Sequence, residues 1–248
     1  MPAAQLYALP ASHPCATVER AFALKDVPLR RIDLVPVAHV PLQLLRFGGR
    51  TVPGVVVPDG MRVQGSRAIL RELELRAPEP PLLPAGGAAR AGVEAAEAWG
   101  DVVLQSAARR IIWAALRRAP EAAESLSEGA DLPVPPALAR ASMPLIVRLE
   151  TALNGAWDAN ARADLAALPG HLDRIEAWMG EGALGGEAPT AADLQIGPAL
   201  ALLHTLEDLH PLLDRRACEP ARRWFAGQPG RVPAGTLPAA WLPARLRQ

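Results

Sequence analysis

The stretch LYALPASHPCATV, Leu6 to Val18, changes its period halfway along. Gln5 to Leu9 is an apolar run of strand length, whereas Cys15, Val18 and Phe22 recur three and four residues apart, the spacing of one helix face. Pro14 stands at the changeover, where a helix can begin on a residue without an N–H because that donor has no intrahelical partner. The stretch therefore reads as a strand, a short loop and a helix.

Further along, Pro28 to Leu34 sets Ile32 and Leu34 against Arg31 and Asp33, the alternation of a second strand, and the intervening helix completes a βαβ unit. An irregular segment follows. Val55 to Val57, the turn Pro58-Asp59-Gly60 and Met61 to Val63 then read as a hairpin, and Ser66 is placed to cap a helix running to about Arg76. The order βαβ, irregular helical segment, ββα predicts a thioredoxin-like domain: a mixed four-stranded sheet with helices on both faces.

Residues 77–87, APEPPLLPAGG, hold four prolines that exclude helix and two glycines that allow a bend. Beyond them the pattern is helical throughout, with helices expected over Val93–Arg118, Pro144–Leu153, Leu165–Met179, Ala191–Glu207 and Arg215–Phe225. Thr190 and Asp193 have capping-box spacing ahead of the fourth. The expected organisation is an α/β thioredoxin-like domain over residues 1–77, a linker over 78–87 and an all-α domain over 88–248.

Composition narrows the function. Basic and acidic residues balance at 26 each in 248 residues, so no global field selects nucleic acid or an anionic bilayer. No run approaches the ~20 apolar residues of a membrane span and no leader pattern opens the chain, so a cytoplasmic protein is expected. Cys15 and Cys218 lie far apart and outside any zinc-like spacing. His204 and His210 are six apart, unlike the i, i+4 pair of a helical metal site, so no metal is expected.

Ser12-His13-Pro14-Cys15 opens the first helix, where backbone N–H groups and the helix dipole attract an anion. A hydroxyl there can donate to a thiolate, and a hydrogen bond to a charged group contributes about 1.5–3 kcal/mol, roughly one to two pK units of thiol acidity. Taken alone, the tetrapeptide fits a helix-capping Ser12 better. Cys15 could use the same helix terminus for disulfide exchange, while its spacing with Val18 fits a packing cysteine.

Leu6 to Val18 resembles the first strand, loop and helix of glutathione transferases, and its Ser-x-Pro-Cys core is similar to the theta class. The resemblance implies that Ser12 activates the glutathione sulfur, with His13 beside it. Arg50-Thr51-Val52-Pro53 is similar to the segment whose valine backbone pairs with the cysteinyl main chain of glutathione, although a proline at a strand start has an ordinary explanation too. Gln64-Gly65-Ser66-Arg67-Ala68-Ile69 is similar to the family's Glu-Ser-x-Ala-Ile, so Ser66 is expected to hold the γ-glutamyl carboxylate. Gly65 replaces the acidic residue that helps to bind the ligand's amino group, which leaves another low-molecular-weight thiol, or none, open. His39 falls where theta-like members place a histidine touching the glycyl end, and is also explained as a solvated loop residue.

In the helical half, Arg109, Arg110 and Trp113 lie on the helix that borders the second-substrate cleft in this family. They fit an anionic or aromatic substrate, or else a core indole with solvated or domain-bridging arginines. The resemblance as a whole implies a thiol transferase that uses glutathione as co-substrate against a small electrophile, and a homodimer. Two alternatives remain: a transferase-like binding or interaction protein without activity, and a thiol-dependent oxidoreductase using Cys15.

Overall fold

The computed structural model describes residues 3–243. The expected C-terminal domain therefore extends at 244–248 beyond the described residues. Strand β1 (Ala4–Ala8), helix α1 (His13–Leu24) and β2 (Leu29–Asp33) form the βαβ unit, with β1 and β2 parallel from Ala4 opposite Leu29 to Ala8 opposite Asp33. Helix α2 (His39–Phe47) fills the irregular segment, and β3 (Gly54–Val56), β4 (Arg62–Gln64) and α3 (Ser66–Arg76) complete the domain. The sheet order is β2-β1-β3-β4, with β3 antiparallel to both neighbours.

Alternation along β1 decides what each face meets. Ala4, Leu6 and Ala8 enter the core with Cys15, Val18 and Phe22 of α1 and Ile69, Leu70 and Leu73 of α3. Tyr7 turns to the other face, where its ring meets Phe47 of α2 edge-on at 5.5 Å. Gly54 is required for that crossing, since a Cβ there would lie 2.6 Å from the Phe47 ring.

The linker is pinned at its start by the chain's single lysine. Lys25 is buried, donates at 2.7 Å to the carbonyls of Ala77 and Pro80, and pairs with Glu74 at 2.6 Å. Leu82 and Leu83 are buried, and the Leu82 carbonyl accepts from the Ala191 N–H at 2.7 Å.

The second half comprises α4 (Gly87–Trp99), α5 (Gln105–Leu116), α6 (Ala123–Leu126), α7 (Pro136–Leu153), α8 (Asp158–Gly180), α9 (Ala191–His204), α10 (His210–Leu213) and α11 (Glu219–Trp224). Helix α4 begins at Gly87, one residue inside the expected linker. The expected single helix over 93–118 is α4 and α5 joined by a π-helical turn over Gly100–Leu104. Helix α7 begins eight residues before Pro144, which it accommodates in its interior.

Helix α9 is the hub: residues 191–203 are buried throughout, and α1, α4, α5 and α11 pack around it. Its capping box forms as the spacing predicts, with Thr190 accepting from the Asp193 N–H while the Asp193 carboxylate accepts from the Thr190 N–H at 2.8 Å. Among the contacts that tie the two halves together, three centre on α1, α3 and α9. Thr17 of α1 donates to the Leu194 carbonyl at 2.7 Å, Gln195 donates to Ser66 Oγ at 3.0 Å, and the fully buried Glu97 receives Arg71, one of the two bonds being 3.0 Å. The groove between the halves is thereby held in shape.

No helix among the described residues is long and apolar enough to cross a membrane.

Candidate functional site

The groove at the carboxyl end of β1 is walled on one side by Ser12, His13 and Thr51-Val52, and on the other by Arg109, Ile112 and Trp113 of α5, with Met143 and Glu150 of α7 and Ser127 closing it. It encloses about 990 Å³ of empty space, its open mouth included. Ser12, His13, His39, Arg50, Thr51, Val52, Arg109 and Trp113 thus share one groove.

Ser12 precedes the first turn of α1 in extended conformation, and its hydroxyl caps no N–H of that helix, so the capping explanation fails. The hydroxyl instead lies against Cys15. It favours the Cys15 thiolate, but burial opposes more strongly and lifts the thiol to about 11. Within the first turn, Pro14 has no N–H and the Cys15 N–H bonds the Ser12 carbonyl at 3.0 Å. The His13 N–H is left without a partner beside the serine.

His13 is buried. Burial first, then the nearby Arg109 charge, hold its pKa well below the ordinary value against a hydrogen bond to the Gln105 backbone. The ring is neutral at physiological pH, and its Nε2 has no partner. His39 begins α2 as a buried residue, not a solvated loop histidine, and burial with the Arg50 charge lowers it to about 4. Neither histidine brings positive charge to the groove.

Val52 and Pro53 are joined by a cis peptide bond. The Pro53 carbonyl is taken by the Gly65 N–H at 2.9 Å, whereas the N–H and carbonyl of Val52 have no hydrogen-bond partner among the described residues. Arg50 stands at the mouth, its Nη2 donating to the Leu153 carbonyl at 3.3 Å.

Gly65 and Ser66 do not line the groove. Gly65 has φ +88° and is itself the N-cap of α3, so Ser66 is the first helical residue and not the cap expected of it. The Ser66 hydroxyl is buried and accepts from Gln195, which also donates to Asp101 at 2.9 Å. Arg110 is also turned away, paired through two bonds of 2.6 and 2.7 Å with Asp164 of α8. Neighbours on a helix differ by about 100° in direction, so only Arg109 of the pair faces the groove.

Glu150 escaped the sequence reading. In an amphipathic α7 it looks like a solvated residue, yet it is buried, accepting from the Val37 N–H at 3.0 Å and from Asn154 Nδ2 at 2.9 Å. Burial raises its pKa, partly offset by those bonds and by Arg109 and Arg50. No group of three or more His, Cys, Asp or Glu side chains among the described residues is placed to hold a metal ion.

Residues 6–81 match the family model of the glutathione S-transferase N-terminal domain. No curated protein matches the chain. Among solved structures, FzlA from C. crescentus is 20% identical with a TM-score of 0.59, over 90% of this chain and 86% of that one. A glutathione S-transferase from Rhodospirillum rubrum F11 is 22% identical with a TM-score of 0.57, over 94% and 97%. A glutathione S-transferase from Methylobacterium radiotolerans, in complex with glutathione sulfonate, is 22% identical with a TM-score of 0.54, over 94% and 95%.

Proposed function

We propose that this chain, whose residues 6–81 match the family model of the glutathione S-transferase N-terminal domain and whose fold is that of solved glutathione S-transferases, binds glutathione in the groove and activates its thiol for attack on a small electrophile. The observation that carries this reading is the convergence of the Ser12 hydroxyl, the unpartnered His13 N–H and the free main chain of Val52 on one groove.

Cys15 shapes what Ser12 can do. With its thiol raised to about 11, Cys15 remains S–H at neutral pH, a weak donor able to point at the Ser12 oxygen. The serine O–H is then free to donate to a guest thiolate, and the His13 N–H at the positive end of α1 adds to the same charge. Val52 pairs through its main chain with the cysteinyl unit of glutathione, while Thr51, Arg50 and His39 border the glycyl end. The bound thiolate forms the carbon–sulfur bond, the leaving group departs with its electron pair, and the thiol proton passes to solvent. With this reading go a homodimer and a cytoplasmic setting.

One observation favours a second reading, a glutathione S-transferase-like binding protein without activity: the Ser66 oxygen is engaged by Gln195, and Gly65 offers no side chain for an amino group. The oxidoreductase alternative loses its basis, because Cys15 is fully buried and its thiolate is disfavoured.

Calorimetric titration with glutathione, followed by conjugation of an aryl halide, separates the readings. The transferase reading predicts binding, turnover, and a turnover loss in Ser12→Ala of about tenfold or more. Binding without turnover selects the second reading. Absence of binding to glutathione removes glutathione from both.

A further inference from the structure

Arg109 is the one arginine of α5 that the fold leaves without a partner. Arg110 pairs with Asp164, and the flanking Arg117 and Arg118 both reach Asp158. Arg109 makes no hydrogen bond or ion pair with any described residue, and it stands half-buried on the wall of the groove. A guanidinium so placed loses part of its hydration, which is unfavourable for an unpaired charge unless something supplies the missing acceptors.

The nearby carboxylates do not fill that role. Asp101 and Glu150 feel the Arg109 charge, but Asp101 accepts from Gln195, and Glu150 accepts from Val37 and Asn154. Arg50 adds a second positive charge at the mouth, and an incoming anion eases the repulsion between the two cations. The same groove also offers apolar surface from Ile112, Trp113, Leu116, Leu126 and Met143. A partly apolar groove with an unpartnered planar cation on its wall matches an apolar molecule bearing a carboxylate or sulfonate, which a guanidinium grips through two parallel bonds.

We propose that Arg109 anchors the anionic group of the second, electrophilic substrate, so that this protein selects aryl or alkyl acids over neutral compounds of the same shape. The assignment deepens the transferase reading and rests on the groove being its ligand site. Glutathione also carries carboxylates, and the test separates the two sources.

The full chain, with and without saturating glutathione, is titrated with 2-naphthoate and its neutral isostere 2-naphthamide, as parent, Arg109→Gln and Arg109→Lys. The parent is expected to bind naphthoate at least about tenfold more tightly than naphthamide. Arg109→Gln erases that preference while naphthamide affinity stays within about twofold, and Arg109→Lys retains part of it. Equal affinities in the parent, no naphthoate binding at millimolar concentration, or an unchanged preference in Arg109→Gln each overturn the assignment. So does a loss of glutathione affinity in Arg109→Gln with naphthoate unaffected. Should the Gln variant fail to fold, the parent ratio and the Lys variant decide. Because no conjugation is measured, a naphthoate preference can stand even if the transferase reading falls.

Discussion

Gln195 of α9 donates to Ser66 Oγ at 3.0 Å and to Asp101 Oδ1 at 2.9 Å, joining the start of α3 to the helical half through a fully buried amide. Replacing it by leucine removes both donors and leaves a partly buried carboxylate and a buried hydroxyl unsatisfied. Gln195→Leu is expected to destabilise the protein by about 2–4 kcal/mol, measured by urea unfolding. Ser66→Ala removes one acceptor while Asp101 keeps the amide occupied, and should cost about 1 kcal/mol. Equal losses in the two variants would show that the amide serves Ser66 alone.

Asp193 supports the same helix at its origin. Its buried carboxylate accepts from the N–H groups of Gly185 and Thr190, both at 2.8 Å, so the loop before α9 and the first turn share one anion. Asp193→Ala should cost about 3 kcal/mol in urea unfolding, with Asp193→Asn losing less because it keeps one acceptor. The groove lies against α9 through Leu202 but does not touch Asp193, so glutathione affinity in the surviving folded fraction is expected to be unchanged.

His39 gives the protein a pH signature. Its ordinary value is 6.5, and burial with the Arg50 charge brings it to about 4 in the fold. Between those values the unfolded chain holds a proton that the folded chain does not. Stability is therefore full above 6.5 and falls as pH drops towards 4, by about 3 kcal/mol for this group. His13 acts in the same direction, whereas the raised carboxyls of Asp101, Glu150 and Asp193 act in the opposite one at lower pH. The His39→Asn variant isolates the effect: its stability should decline less steeply than the parent's, by up to about 1.4 kcal/mol per pH unit between pH 6 and 4.5. Parallel curves would place the His39 ring in water.

The legible parts of this protein were those with local causes. The apolar run of β1, helix-face spacing after Pro14, the Pro58-Asp59-Gly60 turn and the Thr190–Asp193 capping box each act within a few residues and are found in the structure, whereas β2 departs from the expected alternation in that Asp33 is buried. Ser12, Val52 and Arg109 were placed on one groove because the family resemblance supplied the tertiary arrangement that spacing could not. Glu150, Gln195 and the partner of Ser66 were hidden for the same reason: their significance lies in contacts with segments about a hundred residues away. Arg109 and Arg110 are indistinguishable by type, and only the rotation of α5 turns one to the groove and the other to Asp164.

The most direct test of a hydroxyl that stabilises a bound thiolate is the acidity of that thiol in place. Thiolate absorbance in the ultraviolet, followed through a pH titration of the glutathione complex, should give a pKa about one to two units below that of free glutathione in the parent. In Ser12→Ala the bound thiol should titrate closer to its value in solution, with the His13 N–H and the α1 dipole retaining part of the shift. Coincident titration curves for parent and variant, with glutathione bound in both, would contradict the role assigned to Ser12.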